Sequence, residues 1–534
     1  RRRYNPYEPE ATLYRFYNKR TAEYRMTSNE AWNCFAKSVL KPKDILMPIY
    51  DYDIGVIGGG AAGLTVASGA AQLGAKTLLV EKENELGGDC LHFGCVPSKT
   101  LLKSAHVYHL MKNSKKFGLP SVEVPSVDFN EVSKRIKSVI ATIQHHDSKE
   151  RFCRLGAQVE FGQPTFIDEH SIRLNGNSYS AKTWVIATGS SPVAPPIKGL
   201  AQTNHITNKE IFYLDHLPES MIILGGGPIG VEMSQAFCRL GTKVSVVDMA
   251  PQILVKEDLD MAEAVKEVLR SEGVEFYLSS AIEEVKDLGR KKEVMVKTSQ
   301  GNLVSLKAET VVAALGRAAN VSGLGLEDIG VEFSRQGINV DNRLRTNIKH
   351  IYAVGDVNGG FQFTHAAGYE GGIVVSNAVF RLPRKVNYRF LPWCTYTDPS
   401  LGSIGMNEKS AAAAGIGFNV WTEEFKDNDR SLAEGETVGK IKMILDDKEK
   451  PIGIQILGPH AEELLNEWVA VLNGKVKLST LASAIHPYPT IGEINKKVAG
   501  SYFSPKIFSE KVQKGLKFFF HLKGRACAEE TCSE

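Results

Sequence analysis

Tyr52-Asp53-Ile54-Gly55-Val56-Ile57-Gly58-Gly59-Gly60-Ala61-Ala62-Gly63 is a short β-rich run that feeds a glycine loop. A helical stretch follows to about Leu73, and then an apolar run, Thr77 to Val80, that ends at Glu81. Strand, loop, helix and strand in this order give the pattern G-x-G-x-x-G the setting it needs to bind a dinucleotide. Gly58 makes the turn, Gly60 lets the backbone approach a pyrophosphate, and Gly63 lets the helix lie close on the strand. Glu81 is placed to bind a ribose hydroxyl, and Ala61, Ala62 and Lys82 complete this candidate site.

The unit recurs. Met221-Ile222-Ile223-Leu224 runs into Gly225-Gly226-Gly227-Pro228-Ile229-Gly230, a helix to Leu240, and a strand from Lys243 to Val247 that ends at Asp248. Twenty-three positions separate Gly58 from Glu81, and twenty-three separate Gly225 from Asp248. An internal repeat of a whole strand–helix–strand unit implies two dinucleotides. Asp248 would bond a 2′-hydroxyl and repel a 2′-phosphate, and no arginine follows it immediately, so the second site favours NADH over NADPH. The fold class is therefore α/β, with two Rossmann-like dinucleotide-binding domains.

Between the two units lies Gly87-Gly88-Asp89-Cys90-Leu91-His92-Phe93-Gly94-Cys95-Val96-Pro97-Ser98-Lys99. The two cysteines sit five apart, close enough to form a disulfide. Val-Pro-Ser-Lys reads as a first helical turn, where proline is tolerated because its missing N–H has no intrahelical partner. The positive end of that helix stabilises a thiolate at Cys95. Downstream, Trp184-Val185-Ile186-Ala187-Thr188-Gly189 is an apolar strand ending in a small-residue turn that can lie against a nucleotide.

The totals narrow the field. The chain has 534 residues, which is length for several domains, and a net charge of +3, which gives no reason to expect nucleic acid. Eight cysteines are too few for a disulfide scaffold and fit a reducing, cytoplasmic compartment. No apolar run approaches the roughly 20 residues of a membrane span, and no signal peptide pattern is visible.

Together the first glycine loop, Gly87 to Lys99, Ala187-Thr188-Gly189, the second glycine loop with Glu232, and Thr346 through Gly355-Asp356 resemble the pyridine nucleotide-disulfide oxidoreductases. These flavoproteins include lipoamide dehydrogenase, glutathione reductase and mercuric reductase. The resemblance spans roughly residues 51 to 500. It implies FAD at the first site, a nicotinamide nucleotide at the second, and an α+β C-terminal domain through which the chain forms a homodimer. It assigns Cys95 a place against the flavin and Cys90 exchange with substrate. Lys99 would sit near the flavin and pair with Glu232, and Asp356, after Gly355, would bond the ribityl chain. Gly88, Asp89 and Gly316 join the cofactor contacts. Domains are expected at 51–200 and 326–390 (FAD), 201–325 (nicotinamide nucleotide) and 391–505 (interface), with an extension over 1–50 and a tail over 506–534.

Disulfide reductases of this kind carry His-Pro-Thr-x-x-Glu near the C-terminus, the histidine acting as acid–base and oriented by the glutamate. Here Pro489, Thr490 and Glu493 align, but the histidine position holds Tyr488, and His486 lies two residues early. A phenol with a pKa near 10 is a poor base at neutral pH. Mercuric reductases have tyrosine at this place, so the reading leans that way: electrons pass from NADH through FAD to the Cys90–Cys95 pair and on to a thiophilic metal ion. The alternatives are reduction of a small or protein-bound disulfide with His486 as base, and membrane-associated electron transfer to another acceptor. Cys527 and Cys532, five apart in the tail, are candidate metal-shuttling thiols. The aromatic, basic ends of the chain offer a contact for a membrane surface or pack on the body; a short helix is expected near Ser28 to Leu40.

Overall fold

A computed structural model describes residues 49–524 and Ala526. The helix expected near Ser28 to Leu40, and Cys527 and Cys532, lie outside the described residues.

Strand β1 (Tyr52–Ile57) enters helix α1 (Ala61–Gln72), and β2 (Thr77–Glu81) returns parallel to β1. Helix α2 (Cys95–Lys112) follows the cysteine segment. Strand β3 (Ala157–Phe161) pairs with β2, and β4 (Asn177–Ile186) pairs with the other edge of β1, both parallel. The parallel order is therefore β3-β2-β1-β4.

The second unit repeats this order. Strand β5 (Ser220–Leu224) leads to helix α3 (Pro228–Leu240) and strand β6 (Lys243–Val247). After helix α4 (Leu259–Glu272), β7 (Glu275–Tyr277) pairs with β6, and β8 (Thr310–Ala313) closes on β5, so the sheet reads β7-β6-β5-β8. The central strands β1, β5 and β8 are largely apolar and buried because the middle of a parallel sheet is covered on both faces. Strand β9 (Ile351–Ala353) then returns to the first sheet beside β4, and helix α5 (Thr364–Ala378) packs on α1.

The C-terminal lobe is different in kind. Strands β10 (Pro392–Thr395), β11 (Ser400–Gly405), β12 (Phe418–Glu424), β13 (Lys440–Asp446) and β14 (Pro451–Gly458) form an antiparallel sheet in the order β10-β11-β14-β13-β12. Helices α6 (Ala461–Gly474) and α7 (Glu493–Ile507) cover it, with Trp468, Val498 and Ile454 in a shared core. Helix α8 (Glu510–Phe520) follows and buries none of its residues. The mixed α/β class expected from the sequence is the one observed.

Candidate active site

The two glycine loops are built alike. Gly58 and Gly225 turn at φ of +112° and +111°, where an L side chain is strained, and a Cβ on either would meet a backbone carbonyl oxygen at 2.3 Å. A Cβ on Gly63 would come within 1.8 Å of the Gly58 oxygen, and one on Gly230 within 2.0 Å of the Gly225 oxygen. Gly60 and Gly227 are open: nothing lies closer than 3.9 Å to the first, and nothing within 4 Å of the second. Each loop thus leaves a bare helix N-terminus, where backbone N–H groups and the helix dipole favour an anion. A dinucleotide pyrophosphate fits that cradle.

A carboxylate locks each loop. Glu81 accepts from the N–H of Gly59 at 2.6 Å and of Glu83 at 2.9 Å. Asp248 accepts from the N–H of Gly226 at 2.5 Å and of Ala250 at 2.7 Å. The sequence suggested ribose contacts for both residues; the structure adds that both oxygens of each already hold the backbone.

A cleft of about 1260 Å³ gathers most of the predicted residues. Its lining includes Gly58, Gly60, Ala61, Ala62, Glu81 and Lys82 from the first unit, and Gly227, Ile229 and Gly230 from the second. Gly88, Asp89, Thr188, Gly189, Gly316, Gly355 and Asp356 also border it. Gly63, Gly225 and Asp248 stand behind this surface as parts of the turn.

Cys90 sits on a short helix, Gly88–His92, and Cys95 opens α2; both are free thiols lining the cleft. The Cys90 thiol hydrogen-bonds to Cys95, the Thr364 hydroxyl lies 3.4 Å from the Cys95 sulfur, and Lys99 adds its charge. These bring the Cys95 thiol down to about 6, against the burial that opposes ionisation. The same bond pushes Cys90 strongly upward. The pair is therefore asymmetric: its surroundings favour ionisation at Cys95 and oppose it at Cys90.

Lys99 donates to Glu232 at 2.8 Å. Glu232 is buried, and its second oxygen accepts from the Tyr396 N–H at 2.9 Å. The Tyr396 ring faces Lys99, with the ammonium 4.1 Å from its centroid. Two residues on, Asp398 accepts from His106 of α2 at 2.8 Å and from Arg239 of α3 at 2.6 Å, while Gln235 bonds both its N–H and its carbonyl at 2.8 Å. Arg239 also makes a bidentate pair with Glu272. The hydrogen bond from His106 and the charge and hydrogen bond of Arg239 hold the Asp398 carboxyl well below the usual range despite burial, which alone would raise it. The Tyr396–Asp398 turn thus fastens α2, which carries Cys95 and Lys99, to α3, which carries Glu232.

A second chain of bonds runs along the cleft. Ser190 donates to Asp356 at 2.6 Å and accepts from Arg317 at 2.8 Å, and Arg317 pairs with Asp89 at 3.2 Å. Burial raises the Asp356 carboxyl. Behind it, buried Glu370 accepts from the Gly355 N–H, Asn358 and the Tyr388 hydroxyl. Sequence reasoning had no signal for Thr364, Ser190, Arg317 or Glu370, and took Tyr396-Thr397-Asp398-Pro399 only as the opening of the interface region.

The predicted acid–base group is not brought to its own chain's cleft. Tyr488 is 72% exposed and donates to Asp429 at 2.9 Å, so its partner is not Glu493. His486 pairs with Glu467 at 3.0 Å. Glu493 begins α7 and accepts from the Thr490 N–H at 3.4 Å. His486 and Tyr488 lie on the segment that leads into α7, and Glu493 is the first residue of that helix.

Residues 52–371 match the family described as pyridine nucleotide-disulphide oxidoreductase, and residues 391–499 match the dimerisation domain of the same family. A dihydrolipoyl dehydrogenase of Bacillus subtilis is 34% identical over 453 residues, covering 82% of this chain and 96% of the relative. A mercuric reductase of Bacillus cereus is 31% identical over 446 residues, covering 83% of this chain and 70% of that protein. Among solved structures, the HOCl-induced flavoprotein disulfide reductase RclA of Escherichia coli aligns with a TM-score of 0.76 at 28% identity, over 84% of this chain and 99% of its own. The chain belongs to the pyridine nucleotide-disulfide oxidoreductases. It is an FAD-dependent, pyridine-nucleotide-using flavin oxidoreductase of the class that contains dihydrolipoyl dehydrogenase and mercuric reductase.

Proposed function

We propose that this chain uses NADH to reduce a soft, thiophilic metal ion held by Cys90 and Cys95. FAD bound at the first loop and NADH at the second would supply two-electron chemistry, and the division into FAD (51–200, 326–390), nicotinamide (201–325) and interface (391–505) domains follows that reading. Within it the protein's residues orient and tune. Lys99, held by Glu232 and Tyr396, fixes a positive charge in the cleft. Cys95 presents a thiolate and Cys90 a thiol that ionises on capturing the metal, releasing its proton. Asp248 selects NADH over NADPH. Pairing through 391–505 makes the chain a homodimer.

The carrying observation is Tyr488, whose hydroxyl donates to Asp429 and whose pKa is raised by that bond. Thiol–disulfide exchange needs a group near pKa 7 to protonate the leaving thiolate. A phenol held in its protonated form does not fill that role, whereas two-thiolate capture of a metal ion needs no such group. The copper complex solved for Escherichia coli RclA, 28% identical, is consistent with metal chemistry on this scaffold. One observation favours a second reading, reduction of a disulfide: the His486–Glu467 pair is an imidazole oriented by a carboxylate.

NADH oxidation by the purified flavoprotein separates the two. The acceptors are Hg(II) buffered by excess small thiol, and, in parallel, oxidised lipoamide. Turnover with metal and not with lipoamide is expected. Turnover with lipoamide alone, lost on His486→Ala, would replace this reading by the second.

A further inference from the structure

We propose that α8 docks this protein on the surface of an anionic lipid bilayer. Ser509 caps the helix, and Val512, Leu516, Phe519 and Phe520 recur at i, i+4, i+7 and i+8, which places them on one stripe. Lys511, Lys514 and Lys517 lie off the stripe, with Phe518 among them and a single acid, Glu510, which pairs with Lys514. The stripe opens toward its C-terminal end: Val512 and Leu516 are each 39% exposed, Phe520 70% and Phe519 74%. Exposed Phe508 and Leu522 extend it at the two ends.

Three observations choose the occupant. First, α8 lies beyond residue 499, where the match to the dimerisation domain ends, so it is outside the segment with which this family pairs. Second, Phe518, Phe519 and Phe520 follow one another around the helix at about 100° each, and Phe518 is 75% exposed on the far side from the stripe. A protein groove covers one stripe of a helix; the acyl boundary of a bilayer surrounds a helix end from every side. Third, the lysines complement anionic headgroups and can extend their charge to them while their stems stay among the chains. No helix among the described residues is long and apolar enough to cross a membrane, so the contact is peripheral.

The test uses the full-chain flavoprotein and co-sedimentation with two kinds of vesicle, phosphatidylglycerol mixed with phosphatidylcholine, and phosphatidylcholine alone. Binding to the mixed vesicles is expected, and at least ~10-fold less to the neutral ones. Lys511→Glu/Lys514→Glu/Lys517→Glu, and separately Leu516→Ser/Phe519→Ser/Phe520→Ser, should each lower binding by a similar factor while NADH oxidation in solution stays unchanged. The charge variant keeps the test decisive if the serine variant does not fold. Absence of wild-type binding to anionic vesicles overturns the proposal. So does a serine variant that falls from dimer to monomer in size-exclusion chromatography yet still binds vesicles, because the stripe then faces a second copy.

Discussion

Helices α1 and α3 begin from the same loop and end with opposite tasks. Counting from the last glycine of each loop, Thr65, Ser68 and Gln72 on α1 stand where Glu232, Gln235 and Arg239 stand on α3. The three side chains of α1 bond inside their own helix, to the carbonyls of Ala61, Thr65 and Ser68. The three of α3 reach out, to Lys99 and Tyr396, to the backbone of Asp398, and to Asp398 and Glu272. The loop is thus a folding requirement shared by both units, while the bonds that reach out to α2 and to the Tyr396–Asp398 turn come from α3 alone, at positions the loop does not constrain.

The comparison breaks first on stability. Arg239 is nearly fully buried between Glu272 and Asp398. Arg239→Met should cost about 4 kcal/mol, because Glu272 is left without its cation and Asp398 with His106 alone. Gln72→Met, its counterpart, should stay within about 0.5 kcal/mol. Urea unfolding of the two variants decides; equal effects would mean the outward bonds of α3 carry nothing.

Catalysis comes next. Glu232→Gln should slow reduction of the flavin by NADH about 100-fold, read by stopped-flow absorbance, and Thr65→Val should leave it unchanged. A slow Thr65→Val would show that the loop, not the helix face, controls the step.

Substitutions within the loops sharpen the comparison further. Gly60→Ala and Gly227→Ala meet open space in the protein, so both should fold, and each should weaken only its own nucleotide by about 10-fold. Gly60→Ala should lower flavin content, and Gly227→Ala should raise the KM for NADH. The reverse assignment would exchange the cofactors between the loops.

The smallest effect is a pH profile. Alkylation of Cys95 by iodoacetamide should rise with pH through a midpoint near 6 and then level off, since only the thiolate reacts. Below that midpoint the rate should fall about 10-fold per pH unit. Cys90, whose ionisation its neighbour opposes, should react only at much higher pH. A midpoint near the ordinary thiol value in the wild type would remove the asymmetry between the two sulfurs.

What could be read from the chain follows from how each requirement is enforced. Gly58, Gly63 and their counterparts are legible because the positive φ of the first and the oxygen it presses against the last, five residues on, demand glycine at both. Cys95 and Lys99 are legible because one helix start fixes their relation, and Cys90 because it stands five residues before it. Thr364, Arg317 and Tyr396 are not, because the sheet crossings that bring them together leave no local pattern. Tyr488 is legible as a residue type, whereas its outward hold on Asp429 is set by the fold of the antiparallel lobe and leaves no local pattern.

The carboxylate behind the second loop carries a consequence for redesign. Both oxygens of Asp248 anchor the peptide that shapes the pyrophosphate cradle. The atom group that would discriminate between the two nicotinamide nucleotides is therefore also a structural rivet. An engineer who swaps it to admit a 2′-phosphate loosens the very turn that must grip the new coenzyme. Changing preference here calls for compensating donors elsewhere in the loop rather than a single exchange.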